Sequence, residues 1–566
     1  MAEQATTTAA DRATPRRTAD AYVHALADLD PSLATYLGLN PADDRLPDLS
    51  PDGLAATAAL ARSTLAELDT ADTAVAADPA EARCARLLRE RLTAQLALHD
   101  TGEELRAVRN LGSPLHGLRD VFTLMPAAGD ADWAVISRRM ARLPQALDGY
   151  RATLAEGARR GLLSGPRQVS TVVGQLAEWL DSGAGRSWFA DFAASGPETL
   201  RAELDDAAAA AATALAGLRD WLRDSYAPAA AATADTVGRE RYACLVRYWT
   251  GAEPDLDEAF AWAWSEFHQL DAEMRAEAGR VKPGATPLEA MAYLKEHGPA
   301  IEGAEATRDW LQGLMDQAIQ DLQGSHFDLA EPLLRVESML APPGSAAAPY
   351  YTAPSLDFSR PGRTWLPTRG QHRFPTWDLV STWYHEGVPG HHLQHGQWKY
   401  VADTLSTYQT TLGRISANTE GWALYAERLM DELGHLSDPA ARLGYLNAQM
   451  LRVLRVIGDI GMHLGLAFPA DSPCRPGEPM TPQATREFFG RYCGLAADYL
   501  DSELVRYLGM PGQAITYKLG ERAWLRGRAA ARAARGADFD LKAWHMAALS
   551  QGSLGLDDLV EELSRL

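Results

Sequence analysis

The chain has 566 residues, 46% of them hydrophobic and 23% charged, an ordinary globular composition with room for a large core. Lys plus Arg total 54 against 75 Asp plus Glu, a formal charge of −21, which argues against nucleic acid or an anionic membrane as the main partner. The four cysteines, Cys84, Cys244, Cys474 and Cys493, include no Cys-x-x-Cys pair, so neither a thiolate metal knuckle nor a disulfide framework is expected.

The N-terminus, MAEQATTTAADRATPRR, is polar and lacks the apolar core of a signal peptide. No apolar run of roughly eighteen residues follows, so a cytoplasmic location without a membrane span is expected. Residues 1–17 read as disordered, 18–240 as an N-terminal helical lobe and 241–566 as a second lobe that carries the chemistry. In the first lobe apolar residues recur at three- and four-residue spacing, as at Leu87, Leu88, Leu92 and Leu96. The breakers Gly112-Ser-Pro, Gly165-Pro and Ser195-Gly-Pro punctuate it, and the Ala207–Ala212 run reads as helix interior. Residues 342–375 hold too many prolines for a long helix and leave room for short strands at Tyr350–Thr352 and Arg363–Leu366. The helical pattern then returns. The residues therefore predict a mainly α architecture with a small extended element before the next motif.

That motif is His385-Glu386-Gly387-Val388-Pro389-Gly390-His391-His392. Thr376 reads as the N-cap of the helix that carries it. Two imidazoles on one helical face beside a glutamate can hold zinc and a proton-accepting base. Here the position four after His385 is Pro389, so the usual spacing fails. Pro389 and Gly390 can bulge the helix and return a later histidine beside His385. His391 needs two looped-out residues. His392 stands about 10 Å along a straight helix. His391 paired with His395 is a third possibility. Glu420 and Glu427, seven apart on a helix that stops near Gly434, supply a third ligand and a carboxylate to orient an imidazole. Arg452, Arg455, Asp459 and His463 form one polar stripe on a helix whose Gly458, Gly461 and Gly465 suggest close packing. The stripe suits an internal ion pair or contacts to substrate, with His463 donating to an oxyanion. Gln513, Tyr517 and Lys518 follow a Pro-Gly turn. Tyr350, Tyr351, Asp357 and Arg360 are candidate walls of a substrate groove.

HEGVPGHHLQ, EGWALYAE, the Arg452–His463 stripe, the block from Pro511 to Gly520, and the upstream YYTAPSLDFSRPG occur together in this order. This set resembles the bacterial family of domain of unknown function 885, a relative of the zincin-like metallopeptidases. The resemblance is specific over about residues 349–520. The chain departs from the family pattern at Phe358, where glycine is usual, and near Pro367, where asparagine is usual. The resemblance implies a two-lobed helical zincin-like fold with a deep cleft that takes short peptides. The residues themselves point to one Zn2+ on His385, Glu420 and either His391, the preferred choice, or His392, with Glu386 as general base, and the resemblance implies Tyr517 as oxyanion donor. His392, Glu427, Tyr350, Tyr351, Arg360, Arg452, Arg455, Asp459, Gln513 and Lys518 would line or support the site. The competing expectations are a peptide-binding protein without turnover, a hydrolase of a non-peptide amide, and a structural helical scaffold.

Overall fold

The computed structural model describes residues 14–70, 78–182, 185–342 and 348–566. The disorder expected at the N-terminus falls mainly on residues 1–13, which lie outside the described residues. The first helix, Pro15–Leu29, is already under way before position 18, capped by the Thr14 side chain. Helix accounts for 67% of the chain and strand for 4%, so the protein is mainly α with small sheets.

Many helices begin in the same way. A Ser, Thr or Asp accepts a backbone N–H of the first turn, and proline follows at the first helical position: Asp30-Pro31, Ser50-Pro51, Asp78-Pro79, Thr286-Pro287, Asp438-Pro439 and Thr481-Pro482. Proline costs nothing there, because that N–H has no helical partner and its φ is already helical. No described helix is long and apolar enough to cross a membrane.

The chain forms two compact units. The first comprises residues 1–81, 91–237 and 503–511. Its core gathers Leu118, Phe122, Ile136, Leu147, Tyr150, Leu176, Phe189 and Leu215 from successive helices. The alanine run lies inside the helix Arg201–Trp221, where Ala207, Ala208 and Ala211 are buried.

The second unit comprises residues 82–90, 238–502 and 512–566. Its longest helices, Leu256–Val281 and Pro439–Leu464, are clamped together by Arg442, which donates to Glu277 at 2.9 Å and Glu273 at 3.0 Å. The expected close packing along Pro439–Leu464 is present. A Cβ on Gly458 would stand 2.7 Å from Phe489, and one on Gly461 would stand 2.3 Å from Met480. Helices Ser416–Glu432 and Thr516–Arg535 cross at backbone contact, where a Cβ on Gly421 would meet the Gly520 carbonyl carbon at 2.4 Å.

Five short strands occur among the described residues: β1 (Ala300–Glu302), β2 (Val336–Leu340), β3 (Tyr350–Thr352), β4 (Gly362–Leu366) and β5 (Arg373–Pro375). β1 pairs antiparallel with β5. β4 lies between β2, parallel to it, and β3, antiparallel. The two strands expected between residues 350 and 366 are therefore β3 and β4. Phe358, in the loop between them, takes φ +56°, the left-handed region that favours glycine.

Candidate metal centre

The motif helix is shorter than its sequence suggests. It runs Leu379–Glu386 with Asp378 at the N-cap. Thr376 does not cap it. Its N–H and hydroxyl both donate to the Pro299 carbonyl, at 3.0 and 3.2 Å, which continues the β1–β5 ladder. The helix also ends rather than bulging. Glu386 is its last residue, and a second helix, His391–Tyr400, starts afresh. Pro389 brings no N–H to continue the ladder. Gly390 approaches the previous turn so closely that a Cβ would stand 1.9 Å from the His385 carbonyl oxygen. Gly387 packs against Met315, whose Sδ would lie 2.2 Å from a Cβ. The Trp422 Nε1–H donates to the carbonyls of Pro389 and Gly390, at 3.0 and 3.1 Å. Trp422 stands two residues after Glu420, so this bond ties the break to the helix that brings the carboxylate.

The break puts His391 beside His385, with ring centroids 4.8 Å apart and nearly perpendicular. Glu420 Oε2 lies 3.4 Å from His385 Nε2 and 3.8 Å from His391 Nε2. Ligand atoms of the three residues fall within 4.8 Å of one another. At zinc–ligand distances of 2.0–2.2 Å, neighbours on a tetrahedron stand about 3.3–3.6 Å apart. The 3.4 Å pair falls inside that range and the 3.8 Å pair just outside it, so small shifts would seat such an ion, and two imidazoles with one carboxylate suit zinc.

His392 faces elsewhere. Its Nδ1 meets the Tyr351 hydroxyl and its Nε2 the Leu333 carbonyl, each at 3.0 Å. Both nitrogens are committed, so His392 joins β3 to the motif and is not in the triad. His395 is outside it too; its ring lies alongside that of His391 at 5.4 Å between centroids.

Glu427 is fully buried and stands behind His385, accepting from its Nδ1–H at 2.8 Å. The Ser381 hydroxyl donates to the other oxygen at 2.5 Å, and Arg452 Nη2 lies 3.8 Å away. Burial opposes a charge on His385, but hydrogen bonds to Glu420 and Glu427 outweigh it and raise its pKa. Burial likewise works against the Glu420 charge, and the two histidines overcome it and hold the carboxyl low. Burial pulls His391 down to about 4. Glu386 is 9% exposed, and burial pushes its carboxyl up to about 7.

The remaining expected residues divide. Arg455 stands 4.8 Å over the Tyr517 ring. Tyr517 lies about one turn before Gly520, the point of contact with the Glu420 helix. His463 is not brought to the triad. It sits eleven residues, about 16 Å of helix, beyond Arg452. Its ring is fully buried, stacked on Tyr242 and 3.6 Å from Asp459. Asp459 accepts from the Tyr242 hydroxyl at 2.7 Å and from Gly512 N–H at 2.8 Å, which fixes the turn that precedes Gln513. Lys518 is fully buried and donates to Glu521 at 2.6 Å and Gln449 at 2.8 Å, so it serves the interior rather than a substrate wall. Tyr350 stacks on Trp365. Arg360 donates to the Ala353 carbonyl and Asp357 accepts from Ser355 and Ser359, so both shape their own loop. Ser381, Trp422 and Leu333 complete the centre without a sequence signal of their own.

Two solved structures share this fold. A structure described as "the putative lipoprotein from Colwellia psychrerythraea" matches with a TM-score of 0.80 and 20% identity, over 98% of this chain and 99% of that one. A "putative lipoprotein of unknown function" from Shewanella oneidensis matches at 0.76 and 17%, over 97% and 100%. No curated protein matches the sequence. The family model described as bacterial protein of unknown function matches residues 31–563, and the chain belongs to that family, DUF885.

Proposed function

We propose that the protein is a zinc-dependent hydrolase, a zincin-like metallopeptidase that cleaves short peptides. The observation that carries this reading is the convergence of His385, His391 and Glu420 within 4.8 Å. Two imidazoles and one carboxylate leave a fourth tetrahedral position open, as catalytic sites do and structural sites do not. Held by these three residues, zinc would supply Lewis-acid chemistry, a water with its pKa lowered towards 7 and a polarised carbonyl.

The protein's own groups supply the rest. Glu427 accepts from His385 Nδ1–H, so Nε2, beside Glu420, is the nitrogen that would go to the metal. Glu386, buried and held near neutrality, accepts a proton on its carboxylate and returns it to the leaving amine. Tyr517 is the donor to the developing oxyanion, since its helix touches the Glu420 helix at Gly421. His463 has no part in this scheme, because Asp459 and Tyr242 hold it in the interior.

The test combines metal analysis with a library of short peptides and non-peptide amides. The wild type is expected to bind one zinc and hydrolyse peptides. Glu386→Gln is expected to keep the metal and lose about 10²–10⁴-fold in kcat/KM. A wild type that binds zinc stoichiometrically yet cleaves neither class ends the hydrolase reading. Cleavage confined to non-peptide amides ends the peptidase reading alone.

A further inference from the structure

His391 has a second nitrogen that the protein leaves without an acceptor. Its Nε2 faces Glu420. Its Nδ1 is buried and has no hydrogen-bond partner in the protein. His385 differs, because its Nδ1–H donates to Glu427. An imidazole that commits one nitrogen to a metal carries its proton on the other, and that N–H nearly always finds an acceptor. Leaving it buried and unpaired is unfavourable.

One turn further along the same helix, His395 holds a matching orphan. Its Nε2 atom is buried and also lacks a partner. The two rings lie 5.4 Å apart between centroids and are inclined by only 26°. Tyr351 at 5.9 Å and Trp398 at 5.3 Å flank the His395 ring and restrict its rotation. In rings this close to parallel, the N–H and the lone pair lie in the ring planes and do not point at each other. A water can join them, since each of its two hydrogen bonds spans about 2.8 Å and a buried water needs at least two polar partners.

We propose that His395 is a positioning residue for His391, acting through one buried water that accepts from His391 Nδ1–H and donates to His395 Nε2. The inference rests on the reading of His385, His391 and Glu420 as a zinc site. On that reading each imidazole of the triad has its own orienting partner: Glu427 directly for His385, and His395 through water for His391.

The experiment measures zinc affinity by chelator competition, at fixed pH and salt, for the wild type, His395→Phe and His395→Gln. The Phe variant keeps a flat ring and removes the acceptor. It is expected to bind zinc 10–100-fold more weakly. The Gln variant restores an acceptor and is expected to bind within a few-fold of the wild type (~1 kcal/mol). A folded Phe variant that binds zinc as tightly as the wild type overturns the proposal, as does a Gln variant as weak as Phe. Should Phe not fold, a crystal structure of the zinc-loaded wild type decides. An ordered water within about 3.2 Å of both nitrogens supports the proposal, and none there overturns it. A wild type that takes up no zinc removes the metal centre itself, before any variant is compared.

Discussion

Replacing Glu427 isolates the contribution of a carboxylate that would never touch the metal. Its environment is complete: 0% exposed, His385 Nδ1 at 2.8 Å, the Ser381 hydroxyl at 2.5 Å, and Arg452 at 3.8 Å. In Glu427→Gln the amide oxygen still accepts from His385, and the Ser381 hydroxyl turns to accept from the amide nitrogen. The hydrogen bonds survive and only the charge is lost. Loss of an orienting partner behind a metal ligand weakens binding by about 10–100-fold, or roughly 1.4–2.7 kcal/mol. Gln belongs at the lower end of that range. Glu427→Ala belongs at the upper end, because His385 Nδ1–H then has no acceptor. It also leaves the buried Ser381 hydroxyl without its acceptor, which costs about 1–3 kcal/mol of fold stability. The assay is chelator competition for zinc on each variant, with urea denaturation of the metal-free proteins alongside. Equal zinc affinity in the wild type, Gln and Ala proteins would refute the reasoning, since Glu427 would then be a buried structural anion and nothing more.

Other consequences are as direct. Gly421→Ala drives a Cβ into the Gly520 backbone at 2.4 Å, and backbone cannot yield as a side chain can. A loss of about 1–3 kcal/mol is expected, read as a lower urea midpoint, and an unchanged midpoint would contradict the helix crossing. Trp422→Phe removes the donor to the Pro389 and Gly390 carbonyls, so about 1–3 kcal/mol of stability and part of the zinc affinity should go together. His545 gives a pH signature from a histidine outside the triad. It is fully buried, its Nε2 accepts from the Tyr425 hydroxyl at 2.7 Å, and burial lowers its pKa to about 3. The folded protein keeps it neutral while the unfolded chain protonates it near pH 6.5, so its contribution is whole above that pH. Stability is lost as pH falls from about 6.5 towards 3, by up to about 1.4 kcal/mol per unit. His545→Gln should flatten that slope between pH 7 and 5; a slope unchanged from wild type would show that other groups set it.

What could be read from the sequence follows from how far each interaction reaches along the chain. Helix starts are local: a capping side chain and a proline one residue later suffice, as at Asp438-Pro439 and Thr481-Pro482. The pairing of Glu420 with Glu427 is also local, because seven residues on a helix define one face. The choice between His391 and His392 is not. It is made by Tyr351 and Leu333, 41 and 59 positions away, which occupy both nitrogens of His392. Ser381 and Trp422 escaped notice for the same reason, since neither residue type signals a site until Glu427 and the Gly390 carbonyl come within reach of it. Lys518 shows the opposite case. Glu521 stands three positions on, a spacing that favours an ion pair, and that local signal should have outweighed the attraction of a lysine near Tyr517. The motif itself misleads on spacing because a four-residue break, not a bulge, separates its histidines. Trp422 ties that break to the helix carrying Glu420, so a change that loosens the break is expected to release His391 from the carboxylate as well.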